Sequence, residues 1–124
     1  MKDLSISETQ IMREVWSKKE DIAVPDLTDI IYKKYGKEHK PSTMRTFLGR
    51  LMEKDYISTY RVGRYSYVHA EITEQQYKEM LAQRQVQQWF GGSLYEFVSC
   101  FGEIQAIPEE ERKRLKEWID GMDD

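Results

Sequence analysis

Ser42, Thr43, Arg45, Thr46 and Arg50 fall within nine residues and share one polar side of a helical period. Short hydroxyls and guanidinium groups in that spacing can read the edge of a duplex. A hydroxyl donates or accepts, a threonine methyl touches a thymine methyl, and an arginine takes a guanine edge or a phosphate. Arg61 and Arg64 flank Gly63 in a short loop, where two cations can lie along a phosphate backbone. The plain alternative for all seven residues is an ordinary solvated surface. No comparable grouping supports catalysis. His39 and His69 lie far apart, and Cys100 is the lone cysteine. The chain has no phosphate-binding glycine loop, no zinc-protease histidine pair and no nucleophile with a base in register. Cofactors and metals are therefore not expected, and neither is enzymatic activity.

The charge distribution agrees with a polyanion partner. The 124 residues sum to −3. Residues 1–70 carry 13 Lys/Arg against 10 Asp/Glu, whereas residues 71–124 carry 6 against 12. Within 33–64 there are nine basic groups and three acids. Local concentration of positive charge is the electrostatic footprint of nucleic-acid binding, and an acidic remainder limits indiscriminate adhesion.

These residues need elements to hold them. Ser7 with Gln10 three residues on reads as a capping box, and Ile11, Met12, Val15 and Trp16 recur at helical spacing, predicting a helix over 8–18. Ile22-Ala23-Val24 allows a stub of strand. Pro25 opens a second helix with Leu27, Ile30, Ile31 and Tyr35 on its stripe, stopped by Gly36. Pro41 opens a third, whose apolar face is Met44, Phe47, Leu48, Leu51 and Met52. The period then changes to two. Residues 56–61 and 65–69 are aromatic and β-branched, and Gly63 between them can take positive φ, which predicts a β-hairpin. Tyr60, Tyr65 and Tyr67 are expected to pack the sheet and core. Three helices followed by a hairpin predict a winged helix-turn-helix over residues 1–70, within a mainly α chain. The third helix is then the one that enters the major groove.

Residues 71–124 read as a helical arm. Helices are expected near 74–90, after Ser93, and after Pro108. They carry Trp89, Phe90, Leu94, Phe97, Val98, Phe101, Leu115, Trp118 and Ile119, too many large apolar groups to leave in water and too few residues to bury them alone. Interleaving with a second copy is the economical solution, and a homodimer doubles each groove contact onto a two-fold site. Folding of the arm back onto its own first domain is the alternative. No apolar run suits a membrane span, and the first residues lack a signal-peptide stretch, so a cytoplasmic location without membrane binding is expected.

The sequence resembles the penicillinase-repressor family, which includes beta-lactamase, methicillin-resistance and copper-responsive transcriptional repressors. The resemblance rests on the Glu8–Trp16 helix, TMRTFLGRL at 43–51, GRYSYV at 63–68 and WFGGS at 89–93. It implies an N-terminal winged helix that binds an inverted-repeat operator in double-stranded DNA, commonly with TACA/TGTA half-sites. It also implies a C-terminal arm that forms the dimer, and it places groove contacts on Ser42, Thr43, Thr46 and Arg50. Copper-responsive members carry paired cysteines near the C-terminus, which the single Cys100 does not match. Beta-lactam-responsive members are cut in the arm once a membrane sensor-protease is activated, and the matching stretch here is Cys100-Phe101. Local sequence departs from the family there, with Ser99 before and Gly102 after. A winged-helix module that binds protein rather than DNA is the competing functional class.

Overall fold

The computed structural model describes residues 3–122; Met1 and Lys2, and the acidic end Asp123-Asp124, lie outside it. Its elements in chain order are α1 (Ile6–Ser17), β1 (Ile22–Ala23), α2 (Val24–Tyr35), α3 (Pro41–Glu53), β2 (Ile57–Val62), β3 (Tyr65–Ala70), α4 (Glu74–Phe90), α5 (Leu94–Ile104) and α6 (Glu109–Asp120). The mainly α, winged-helix reading therefore holds, with its helical arm following.

One start differs from the sequence reading. The N-cap of α1 is Ser5 rather than Ser7. Ser5 Oγ accepts from the Glu8 amide at 3.2 Å, and the Ser5 amide donates to Glu8 Oε1 at 2.7 Å. Both serines have a partner three residues on, but a charged carboxylate is the stronger acceptor, and Glu8 also reaches Lys54. The capping box therefore forms one half-turn early.

Two compact units divide at Met80/Leu81. In the first, β1, β3 and β2 form an antiparallel sheet with β3 in the centre. The stub β1 pairs Ile22 with Val68, and the hairpin pairs Val62 with Tyr65 down to Ile57 with Ala70. Ile11, Met12, Ile22, Leu27, Ile31, Met44, Leu51, Tyr56, Ile57 and Val68 belong to a core drawn from every element of this unit up to β3. Two carboxylates on α1 tie the helices together at its edges. Buried Glu8 meets Lys54 Nζ at 2.7 Å, just beyond the end of α3. Buried Glu14 accepts from Tyr35 Oη at 2.7 Å and pairs with Lys34 at 3.2 Å, both on α2. Burial pushes the Glu8 carboxyl up, but hydrogen bonds from Lys54 and Ser5 and the charge of Lys54 outweigh it and hold the group below its ordinary value. The start of α4 belongs to this unit. Tyr77 packs tilted against Trp16 and edge-on to Tyr56, at 5.4 and 5.9 Å between centroids, and Trp16 Nε1 donates to the Ile72 carbonyl at 2.9 Å.

The second unit comprises the rest of α4, α5 and α6. Gly91 and Gly92, both at positive φ, end α4 sharply, and Ser93 caps α5 by accepting from the Glu96 amide. Phe90 and Phe97 meet edge to face at 5.4 Å. Beyond Met80, no described residue is buried.

Candidate nucleic-acid interface

Helix α3 is presented by its two ends. At the start, Pro41 occupies the first turn and Lys40 makes no side-chain cap, so the Ser42 and Thr43 amides are uncapped by any side chain. Such amides, with the helix dipole behind them, form a seat for an anion. At the finish, the Tyr56 amide donates to the Leu51 carbonyl and the Asp55 amide to the Met52 carbonyl. That is a Schellman closure, with Asp55 at φ 66° in the left-handed position that usually takes glycine. It drops Tyr56 into the core and launches β2 directly, so the hairpin's position is set by the helix that precedes it.

The apolar side of α3 behaves as its period predicts in part. Met44, Leu48 and Leu51 are buried, Phe47 is half-buried and Met52 is exposed. Arg50 stands 6.0 Å over the Phe47 ring, and His39 meets the same ring edge-on at 5.3 Å. His39 thus packs, as a structural histidine would. On the opposite side Ser42, Arg45, Thr46 and Arg50 are exposed and Thr43 is half-buried. Thr46 Oγ1 donates to the Ser42 carbonyl at 3.1 Å. Its proton is spent within the helix, so what it shows to a ligand is a lone pair and a methyl group. A Cβ built at Gly49 meets nothing within 4 Å, which leaves open space over the helix there.

The hairpin turn is Val62-Gly63-Arg64-Tyr65, with Gly63 at φ 64°. Positive φ at the first of two loop residues is the pattern of a type II′ turn, which suits the twist of the strands. The two arginines behave differently. Arg61 Nε donates to the Gly63 carbonyl at 3.3 Å, and its terminal nitrogen to the Arg64 carbonyl at 3.4 Å. Arg61 therefore braces the turn. Arg64 lines a groove of about 650 Å³ whose other wall holds Arg45 of α3.

Part of the basic window is consumed by folding. Lys33 pairs with Asp29 at 2.9 Å, Lys34 with Glu14, and Lys54 with Glu8. Among the described residues, Arg45, Arg50, Arg61 and Arg64 make no ion pair. Within 33–64 the cations left without an acid are Lys37 and Lys40 before α3, Arg45 and Arg50 on it, and Arg61 and Arg64 at the hairpin turn.

Sequence reasoning missed a cluster at the other end of the sheet. Asp21 accepts from Tyr60 Oη at 2.6 Å and lies 2.8 Å from His69 Nδ1. The Tyr60 and His69 contacts hold the Asp21 carboxyl below its ordinary value, and Asp21 holds the His69 imidazole and the Tyr60 phenol above theirs. Tyr60 stacks on Tyr67 at 5.7 Å but is 44% exposed, and Tyr65 is 46% exposed, so the expected core role is limited to the half-buried Tyr67. The signal was present as strand alternation: Tyr60 and Tyr67 pair directly on one face, while Val68 takes the core position.

The arm residues named from sequence are exposed or half-buried. Trp89 is 75% exposed, Trp118 60%, and Leu94, Phe97, Phe101, Leu115 and Ile119 are also exposed; Phe90 and Val98 are half-buried. Cys100 is exposed within α5, next to Phe101. Among the described residues, no group of His, Cys, Asp and Glu could hold a metal, and no helix is long and apolar enough to cross a membrane.

Comparison with known proteins places this architecture. A family model of penicillinase repressors matches residues 4–121. The penicillinase repressor of Staphylococcus aureus is 26% identical over 120 residues, covering 97% of this chain and 93% of its own length. The chain accordingly belongs to the penicillinase repressor family, whose members are regulators and not enzymes.

Proposed function

We propose that the protein is a cytoplasmic homodimeric repressor that binds an inverted-repeat operator in double-stranded DNA and so occludes a promoter. In this reading residues 1–70 are the DNA-binding domain and 71–124 the dimerisation domain. Helix α3 lies in the major groove, with Ser42, Thr43, Thr46 and Arg50 toward base edges and Arg45 toward a backbone. Arg64, on the turn braced by Arg61, follows the phosphates.

The observation that carries the reading is that Arg45 and Arg50 on α3 and Arg61 and Arg64 at the hairpin turn make no ion pair, and that Arg45 and Arg64 line one groove. Two guanidinium groups face one groove whose lining includes no carboxylate. A protein-docking helix needs no such arrangement, which favours DNA over the protein-interaction alternative. The arm supports a dimer in a different way. Its helices expose Trp89, Leu94, Phe97, Phe101, Leu115, Trp118 and Ile119, and each is worth about 1.5–3 kcal/mol on full burial.

Release by proteolysis fits the same arm. The Cys100–Phe101 bond sits within the 11-residue α5, followed at once by Gly102. A helical bond must unwind before a protease can seat it. A short helix with an interior glycine, which costs about 1 kcal/mol against alanine, unwinds readily. A membrane sensor-protease cutting there removes α6 from the arm.

Selection of bound duplexes from a random pool, at near-physiological salt, tests the reading. Enrichment of an inverted repeat with half-site centres about one helical turn apart, ~34–36 Å, is the expected result. Binding without enrichment, lost as salt rises, overturns it and leaves the protein-interaction module as the better account.

A further inference from the structure

The groove between α2, α3 and the hairpin turn has more than a charged rim. Its lining combines the exposed Met52 and Tyr65 side chains with the edges of Met44 and Leu48, which are otherwise buried in the core, and with Arg45 and Arg64 from different elements. Its volume of about 650 Å³ lies in the range of small-molecule sites, ~300–1,000 Å³. A phosphodiester is strongly hydrated and gains nothing from thioethers and a leucine. An apolar body gains from them, and methionine adapts to the shape of what it meets. Two guanidinium groups in a lining without a carboxylate offer an anion charged donors from two elements and no competing acid. The ligand that satisfies the apolar and charged parts of the lining together is an apolar body bearing a single carboxylate.

We propose that this groove binds an aromatic carboxylate, whose ring lies over Met44, Leu48 and Met52 against Tyr65 and whose carboxylate bridges Arg45 and Arg64. The regulatory part of the proposal rests on the DNA-binding reading above. Because the carboxylate occupies the two arginines assigned there to the duplex, ligand and operator compete. The repressor then has a second input, separate from any cut in the arm.

The test uses the full chain labelled at methionine methyl carbons, without DNA. 1-Naphthoate is the probe, and 1-naphthylmethanol is its neutral counterpart. The expected result is saturable shifts of the Met44 and Met52 methyls, with Met12 and Met122 unmoved. The neutral probe should bind at least about tenfold more weakly, and the Arg45→Gln/Arg64→Gln chain should lose about the same factor for naphthoate, ~1.4 kcal/mol. Thermal melting of that variant should match the parent, since neither arginine holds the core. Absence of saturable shifts at Met44 and Met52 overturns the site, and so do shifts confined to Met122. Equal binding of the neutral probe overturns the carboxylate. A labelled duplex then reads the coupling: its apparent Kd should rise as one plus the ratio of naphthoate concentration to naphthoate Kd. Unchanged duplex affinity with persisting methyl shifts overturns the competition alone. Failure to bind any duplex overturns the DNA reading and leaves the methyl titration standing.

Discussion

Thr46 shows how a residue's surroundings narrow its chemistry. By composition its hydroxyl can give or take a proton, but the bond to the Ser42 carbonyl fixes it as an acceptor with an outward methyl. Thr46→Ala should weaken operator binding about tenfold, ~1.4 kcal/mol, while leaving random-sequence duplex affinity within about twofold. Thr46→Val, which keeps the methyl, should recover most of that loss where a thymine is read. Anisotropy competition between operator and random duplex measures both. Arg64 should behave in the opposite manner. Arg64→Ala is expected to weaken every duplex alike and to reduce the salt-dependence slope by about 0.9, the contribution of one phosphate. A salt titration that leaves the slope unchanged places Arg64 away from the backbone. Arg61, engaged with the turn carbonyls, acts through Arg64 and should show the larger effect on turn order than on charge.

At the scale of elements, the hairpin is held at both ends by different means. Its tip depends on Gly63 and the Arg61 brace, and its base on the Asp21 cluster, where the loop before β1 grips β2 through Tyr60 and β3 through His69. The base is pH-dependent with a definite sign. His69 in the folded chain titrates above its ordinary 6.5, so its contribution is full below about pH 6.5 and fades as pH rises through the folded value. Asp21 titrates below its ordinary 3.8, so its contribution is full above about pH 3.8 and fades as pH falls through the folded value. The grip is therefore strongest between those limits. His69→Ala should lower the melting temperature more at about pH 5.5 than at about pH 8.5, and equal losses at the two pH values would falsify the assignment. Much of this architecture was legible. The helices, the stub strand, the hairpin and its Gly63 turn follow from period, proline and glycine, and the polar side of α3 from its spacing. The long-range polar pairs were not legible. Glu8 with Lys54, Glu14 with Tyr35, and Asp21 with His69 join residues at least 20 apart, and nothing local distinguishes a carboxylate with a partner from one in water. For the same reason the nine basic groups within 33–64 overstated the available charge, since Lys33, Lys34 and Lys54 have acid partners. Ser5 escaped notice because the cap was chosen by Glu8, whose second partner lies 46 residues away.

For the whole molecule, the arm carries the quantitative prediction. Phe97 packs edge-on to Phe90 and is 40% exposed, placed both to order its own unit and to meet another surface. Phe97→Asp should raise the dimer dissociation constant at least about a hundredfold, ~2.7 kcal/mol, leaving a monomer at micromolar concentration in sedimentation velocity. An unaltered dimer there removes α5 from the interface. The hairpin unit has its own core and should keep its hydrogen-exchange protection in that variant.

That unequal distribution of burial, a complete core before Met80 and no buried residue among those described after it, has a consequence for dosage. In the proposed dimer, operator-competent species at low abundance grow as the square of chain number, so halving the count of chains cuts them about fourfold. A chain shortened in α5 leaves the pool that can pair, so its loss counts against both places in every dimer. Loss of about a third of the chains then removes more than half of the complexes, and the response to a signal becomes steeper than the signal.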